Sequence, residues 1–140
     1  MSPNPLLGSV VALVAWTLVM WTWMYATRIP AILKLRLRLD PNAPRGEQMA
    51  QLPPQVRWKA DNYNHLMEQP TIFYAIVLVL VMAADLSQAS LVLAWAYVVL
   101  RVLHSLFQSL VNNISLRFAL FVLSTLPLFA LTWRAAALVF

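Results

Sequence analysis

This chain of 140 residues contains no cysteine, only two glycines and few charged side chains. The lack of cysteine excludes disulfides, thiolate metal sites and a cysteine nucleophile. The two isolated glycines, Gly8 and Gly46, cannot form the clustered glycine-rich loop that cradles phosphates. Charged residues make up 11% of the chain and hydrophobic residues 61%, and a soluble domain of this size cannot bury so much apolar surface. The composition therefore predicts a membrane-embedded protein.

Long runs of apolar residues make up most of the chain. They predict helices at roughly 5–27, 57–84, 89–111 and 116–139, the second of which starts in a polar run and becomes apolar from residue 69. A helix needs about 20 residues to cross a bilayer. No stretch alternates over about ten residues at a time as a barrel strand does, so helices are favoured as the structure that satisfies the backbone in lipid. We predict an all-α, membrane-embedded four-helix bundle that forms a single domain.

The basic residues predict the orientation of this bundle. Seven of the ten lie between the first and second apolar runs, that is, between residues 27 and 69: Arg28, Lys34, Arg36, Arg38, Arg45, Arg57 and Lys59. By the positive-inside rule, loop 30–56 is cytoplasmic and both termini are on the other side, which a reporter fused after Phe140 would check. Pro30 is expected to interrupt the first helix. We expect a multi-pass protein of a bacterial inner membrane, or of an endomembrane in a eukaryote, in contact with membrane lipids and not with nucleic acid.

Two polar stripes interrupt the apolar pattern. One follows helical spacing in the second predicted helix: Arg57, Asp61, Asn64 and Glu68. The other lies on one face of the third: Arg101, His104, Gln108 and Asn112. Ionisable groups at membrane depth normally face a bundle interior or a wet cavity, so the two stripes are expected to converge.

Two interpretations of the stripes stay open on physical grounds. In the structural one, Arg101 pairs with Glu68 or Asp61 and the stripes hold helices or subunits together. In the functional one, they line an arginine-rich pocket for an anionic ligand. A metal is not expected, because a histidine and a glutamate fall short of the usual three or four ligands.

Taken together, the basic first loop, the Asn/Glu run and the R-x-x-H of Arg101 and His104 resemble the MAPEG family. These are membrane-associated proteins of eicosanoid and glutathione metabolism, including microsomal glutathione transferases and prostaglandin E synthase. The resemblance implies a homotrimer of four-helix subunits that binds glutathione as co-substrate between subunits, near the cytoplasmic face. It also implies a transferase or peroxidase that acts on lipophilic small molecules.

The resemblance also implies roles for individual residues. Arg117, sixteen residues after Arg101, corresponds to an arginine near the glutathione sulfur and is the expected catalytic residue. The residues expected to bind glutathione are Arg28, Arg57, Asn64, Glu68, Arg101, His104 and Gln108.

Some positions depart from the family pattern. The acid follows Asn64 by four residues instead of three, so Met67 stands where the family has glutamate and Glu68 is turned by about 100° around the helix. Gln108 stands where many members have tyrosine, and Ala60 and Tyr63 where several have arginine. These departures favour a rival hypothesis, a trimeric membrane scaffold or lipid-binding protein without glutathione chemistry. A small transporter is less favoured, since broken helices and paired repeats are absent.

Overall fold

A computed structural model describes residues 3–140. Its α-helices are α1 (Leu6–Lys34), α2 (Pro54–Met67), α3 (Gln69–Met82), α4 (Gln88–Leu110) and α5 (Ile114–Val139). A short 3-10 helix, Met49–Gln51, lies in the loop between α1 and α2, and the described residues form no β-strand. Because α2 and α3 follow each other almost without a gap and together form one span, the fold is the expected four-helix bundle.

All four spans are long and apolar enough to cross a membrane. In the single chain most of their side chains face outward, including large apolar ones such as Leu18, Phe129 and Trp133. Such surfaces are stable only against lipid or against another protein. We call the end of the bundle with residues 35–53 the loop end, and the end with Asp85 the opposite end.

The second span breaks at Glu68. Its backbone angles, φ −89° and ψ −96°, lie outside the helical region, so α2 ends at Met67 and α3 begins at Gln69. The cause is Pro70, whose ring clashes with the carbonyl four residues earlier and which has no N–H to donate. The single helix expected at 57–84 is therefore wrong in this detail, and the span itself runs from Pro54 to Met82.

The first helix continues through Pro30, contrary to the prediction that this proline interrupts it. A proline near a helix end removes one hydrogen bond, and here α1 runs on to Lys34. The helix stops where Arg36 adopts a left-handed conformation with φ 50°. The Leu37 N–H then donates to the Ile32 carbonyl at 3.2 Å, as in a Schellman motif. The first loop is accordingly shorter than the predicted 30–56.

The buried face of helix α4 is apolar in one half of the bundle and polar in the other. Near the opposite end this face is mostly apolar, with Ala94, Tyr97 and Val98. Toward the loop end it becomes polar, and its buried side chains there are Arg101, His104, Ser105, Gln108 and Ser109. The polar half of the bundle interior is therefore the half nearest the loop.

A single hydroxyl group connects three helices within this polar half. The Ser105 Oγ accepts a hydrogen bond from Trp16 Nε1 of α1 at 3.0 Å and another from Asn62 Nδ2 of α2 at 2.7 Å. Ser105 and Asn62 are both fully buried. Since buried polar groups are costly when unpaired, these bonds fix the mutual register of the three helices.

A second polar cluster closes the opposite end. The buried Asp85 carboxylate accepts from the Ser87 N–H at 2.8 Å and from the Ser90 hydroxyl. Arg134 of α5 donates to Ser90 Oγ at 2.7 Å and to Ser87 Oγ at 2.6 Å. Asn4 donates to the Asp85 carbonyl at 3.0 Å. Burial alone would raise the pKa of Asp85, but the serine hydrogen bonds and the Arg134 charge outweigh it and lower that pKa.

Candidate functional site

Five of the eight predicted site residues line two cavities at the loop end. The first, the arginine cavity, has a volume of about 410 Å³ and lies between α1, α2 and the loop that joins them. Its lining residues are Arg28, Arg45, Gly46, Met49, Ala50, Arg57, Ala60, Asp61 and Asn64. It contains three guanidinium groups and one carboxylate, so its net charge suits an anion.

Two features shape the arginine cavity. The Nε of Arg28 is buried without a hydrogen-bond partner among residues 3–140, so this guanidinium keeps an unused donor. Gly46 has φ 85°, a conformation that costs glycine little, and its carbonyl accepts from the Ala50 N–H at 2.9 Å. This turn brings Arg45 to the cavity wall beside Arg57. Arginines grouped in this way can hold carboxylates in bidentate fashion.

The second cavity, the histidine cavity, has a volume of about 270 Å³ and is enclosed by α2, α4 and α5. Its lining residues are His65, His104, Ile114, Arg117, Phe118 and Phe121. The rings of His65 and His104 meet edge to face with their centroids 6.0 Å apart. Apart from the two imidazoles and one guanidinium, the walls are apolar, so a lipophilic molecule fits there.

Arg117 is held at the wall of the histidine cavity from one side. Its Nη1 donates to the Asn112 side chain, and Asn112 adopts φ 51° just after the end of α4. The Nε of Arg117 is buried and has no hydrogen-bond partner in the part of the chain that the structure describes. This guanidinium is therefore positioned by α4 and α5 while retaining donor capacity.

Arg101 lies in the bundle interior, 1% exposed, and lines neither cavity. Its Nη2 donates to Gln69 Oε1 and its Nε donates to the Tyr97 hydroxyl at 3.1 Å. Gln69 Nε2 in turn donates to Thr125 at 3.0 Å. The Phe121 ring lies 5.0 Å from the Arg101 guanidinium carbon, a cation–π contact. Arg101 thus joins α3, α4 and α5.

The structural interpretation expected a carboxylate partner for Arg101, from Glu68 or Asp61, and this expectation is wrong. The break at Glu68 turns that side chain outward, where it is 68% exposed, and brings Gln69 inward instead. Asp61 faces the arginine cavity. Arg101 therefore forms no ion pair with any carboxylate of residues 3–140.

Gln108 is fully buried, and neither its amide oxygen nor its amide nitrogen has a hydrogen-bond partner within residues 3–140. It lines neither cavity. One turn earlier on the same face, His104 is 4% exposed and reaches the histidine cavity. The expectation that the two polar stripes converge is wrong, because Arg57, Asp61 and Asn64 line the arginine cavity while Arg101 and Gln108 lie in the interior. Helices α2 and α4 contact each other through other polar pairs, Asn62 with Ser105 and His65 with His104.

The structure divides the predicted site residues into groups. Arg28, Arg57 and Asn64 line the arginine cavity, and His104 and Arg117 line the histidine cavity. The interior holds Arg101 and Gln108, and Glu68 is exposed. Sequence reasoning missed three residues: Arg45, His65 and Gln69. The run YNHLMEQP contained two of them, but nothing in it showed which side of the break each would face.

Within the described residues, no three histidine, aspartate or glutamate side chains converge as metal ligands would. The chemistry of the two cavities is therefore that of guanidinium, imidazole and carboxylate groups.

Comparison with known proteins agrees with the fold. The family model described as the MAPEG family matches residues 6–137, which is nearly the whole chain. Searches of curated proteins and of solved structures found no match.

Proposed function

The chain belongs to the MAPEG family of integral membrane proteins, and on this premise we propose that it is a glutathione-dependent transferase or peroxidase for lipophilic electrophiles. The observation that carries the proposal is the position of Arg117. Its guanidinium and the imidazoles of His65 and His104 line a cavity of about 270 Å³ whose remaining walls are apolar. An arginine in such a place favours the thiolate over the thiol.

Glutathione carries two carboxylates, an amine and a thiol, and the two cavities complement these groups. In the proposal, Arg28, Arg45 and Arg57 hold the carboxylates, Asn64 and Asp61 contact the amide and amine groups, and Arg117 faces the sulfur. A free thiol has a pKa of about 8.5 and is mostly protonated at neutral pH. The thiolate attacks the electrophile as soon as the proton is removed.

The cavities lie on different faces of α2, since the consecutive residues Asn64 and His65 point about 100° apart. One glutathione reaches both kinds of cavity most simply where two subunits meet. We therefore propose a homotrimer whose sites combine the arginine cavity of one subunit with the histidine cavity of its neighbour. Arg101, buried inside the subunit, supports the site through its positive potential. Gln108 is buried away from both cavities, so it has no contact with glutathione in this proposal.

The test is the substitution Arg117→Ala in protein purified with mild detergent. We expect glutathione binding to persist in part, because the arginine cavity is intact, while the thiolate absorbance and the conjugation rate fall. Loss of one charge-assisted contact corresponds to a decrease of about ten- to a hundredfold in rate. The matched control is Arg38→Ala, since Arg38 is an exposed loop arginine outside both cavities.

The second candidate function is a membrane scaffold or lipid-binding protein that retains the fold without the chemistry. The outward position of Glu68 favours it, because the acid is turned away from the place where the family uses one. Wild-type protein that gives neither a thiolate signal nor turnover with glutathione would support this candidate and contradict the transferase.

A further inference from the structure

The displaced glutamate has a partner at the wall of the histidine cavity. Glu68 Oε2 lies 3.3 Å from Nδ1 of His65, in an i, i+3 pair at the end of α2. His65 lines the cavity together with Arg117, and its side chain is 36% exposed, so it is accessible to a small molecule there. A carboxylate on one ring nitrogen orients the imidazole and leaves the other nitrogen, Nε2, for the cavity.

The second imidazole of the cavity is less suited to accept a proton. His104 is 4% exposed, packs against Phe121 with ring centroids 6.3 Å apart, and lies one turn from Arg101. No carboxylate of residues 3–140 forms an ion pair with it. If His65 accepted a proton, the Glu68 carboxylate would stabilise the new positive charge. If His104 accepted one, no carboxylate paired with it would do so.

We propose that His65 is the general base that takes the thiol proton at the histidine cavity, with Glu68 as its positioning residue. This inference rests on the proposed function and extends it, since Arg117 alone stabilises a thiolate but cannot accept a proton. The charged and titratable groups that contact His65 or share its cavity are Glu68 from the end of α2, His104 from α4 and Arg117 from α5. Asp61, one turn before His65 on α2, lines the arginine cavity. Helix α3 contributes no lining residue to this cavity.

The apolar walls of the cavity select the reaction class. Ile114, Phe118 and Phe121 offer only apolar contacts, so Arg117 is the one arginine among the lining residues that can stabilise a developing anion, and a reaction that forms a single anion without a separate leaving group suits the cavity. The addition of a thiol to an α,β-unsaturated carbonyl compound fulfils this condition. A lipophilic enone is therefore the substrate class that this cavity fits.

The thiol, the enone and His65 account for every proton and electron pair of this addition. The S–H bond breaks as His65 Nε2 takes the proton, and the sulfur electron pair forms a bond to the β-carbon. The π electrons of the C=C bond move to the α-carbon and the carbonyl oxygen, giving an enolate beside Arg117. His65 then returns its proton to the α-carbon, so the imidazole is regenerated and no co-reactant is needed.

The experiment compares wild type, His65→Gln and Glu68→Gln, with Glu47→Gln as an exposed loop control. Conjugation of glutathione to a lipophilic enone is measured from acid to alkaline pH, and glutathione binding is measured in parallel. We expect His65→Gln to lower kcat/KM at neutral pH by about a hundredfold or more, with binding little changed. The pH profile of His65→Gln should differ from that of the wild type, because without the imidazole the rate follows only the thiolate fraction of glutathione.

Two further readouts separate a chemical role from a structural one. Glu68→Gln should lower the rate up to about fivefold, since the pair is exposed, and should alter the pH profile, which Glu47→Gln should not do. Free imidazole added to His65→Ala should restore part of the rate, because the cavity is open.

The outcomes also distinguish this inference from the proposed function. An inactive wild type overturns both. Suppose that the wild type is active and that Arg117→Ala lowers its activity. If His65→Gln then has the same rate and pH profile as the wild type, the role of His65 as general base is overturned and the proposed function is not. A loss in His65→Gln that is explained by weaker glutathione binding, without rescue by imidazole, also overturns it.

Discussion

Arg101 shows at the scale of a single residue how the chain holds a charge inside its bundle. The guanidinium is 1% exposed and bonds to the neutral side chains of Gln69 and Tyr97. Uncharged partners satisfy the donors of a guanidinium without neutralising it. The positive potential of Arg101 therefore remains in the polar half of the bundle, beside the Phe121 ring that also lines the histidine cavity.

This arrangement predicts a large effect at Gln69. Gln69→Leu should lower the free energy of unfolding by about 1.5–3 kcal/mol, because a hydrogen bond to a buried charged group is lost. Gln69→Glu keeps a hydrogen-bond acceptor for Arg101, so it should lower the free energy of unfolding by less than Gln69→Leu does. The measurement is unfolding in mild detergent followed by circular dichroism.

The control for this prediction is Gln88→Leu, at the exposed start of α4. Equal stability of Gln69→Leu and Gln88→Leu would contradict the role assigned to Gln69.

At the scale of helices, the break at Glu68 determines which polar side chains enter the bundle. A shift of one residue turns a side chain by about 100°, so the break decides that Gln69 bonds to Arg101 while Glu68 bonds to His65. At the opposite end, the Asp85 cluster fixes the turn between α3 and α4 against the end of α5.

The Asp85 cluster predicts a pH dependence of stability. Because the folded-state pKa of Asp85 is lowered, its carboxylate stabilises the fold above the ordinary value of about 3.9, and this stability is lost as pH falls through the folded-state pKa. Asp85→Asn should cost about 1–3 kcal/mol at neutral pH and should flatten the acid end of the profile. Thermal unfolding in detergent at a series of pH values measures both effects.

Glu47→Gln, in the exposed first loop, is the matched control and should leave the profile unchanged. If Asp85→Asn showed the same dependence of stability on pH as the wild type, the loss of stability at acid pH could not be assigned to Asp85.

The helices themselves were predictable, and the partners of their polar side chains were not. Apolar length alone gave the four spans, and helical spacing gave the stripes that contain Arg57 and His104. Pro70 was visible in the sequence, but the direction in which the chain turns at Glu68 depends on packing against α4 and α5. Arg45 reaches its cavity through a loop turn at Gly46, which no periodicity describes.

At the scale of the whole molecule, one polar face of helix α2 is not covered by any other helix within residues 3–140. Arg57, Asp61 and Asn64 are exposed on a helix that belongs to a membrane span. Polar groups on a spanning helix are stable against protein or water and not against hydrocarbon. The orientation, with the loop end in the cytoplasm, stays a prediction from the positions of the basic residues.

The uncovered face predicts association. We expect a homotrimer, so light scattering in mild detergent should give a protein mass about three times the 15.9 kDa of one chain. The mass should be the same in two mild detergents with different headgroups. A monomer in both would contradict the shared site and leave the arginine cavity complete within one subunit.

The Asp85 cluster also has a consequence for biosynthesis. Translation delivers the spans one after another, so Asp85, in the turn between α3 and α4, is made before Arg134 of the last span. Until α5 arrives, Ser87 and Ser90 have no guanidinium to accept from, and the largest interface of α4 has no partner. The bundle is therefore completed only when α5 packs against α4, and a nascent chain of three spans still lacks the guanidinium that pairs with Asp85, Ser87 and Ser90.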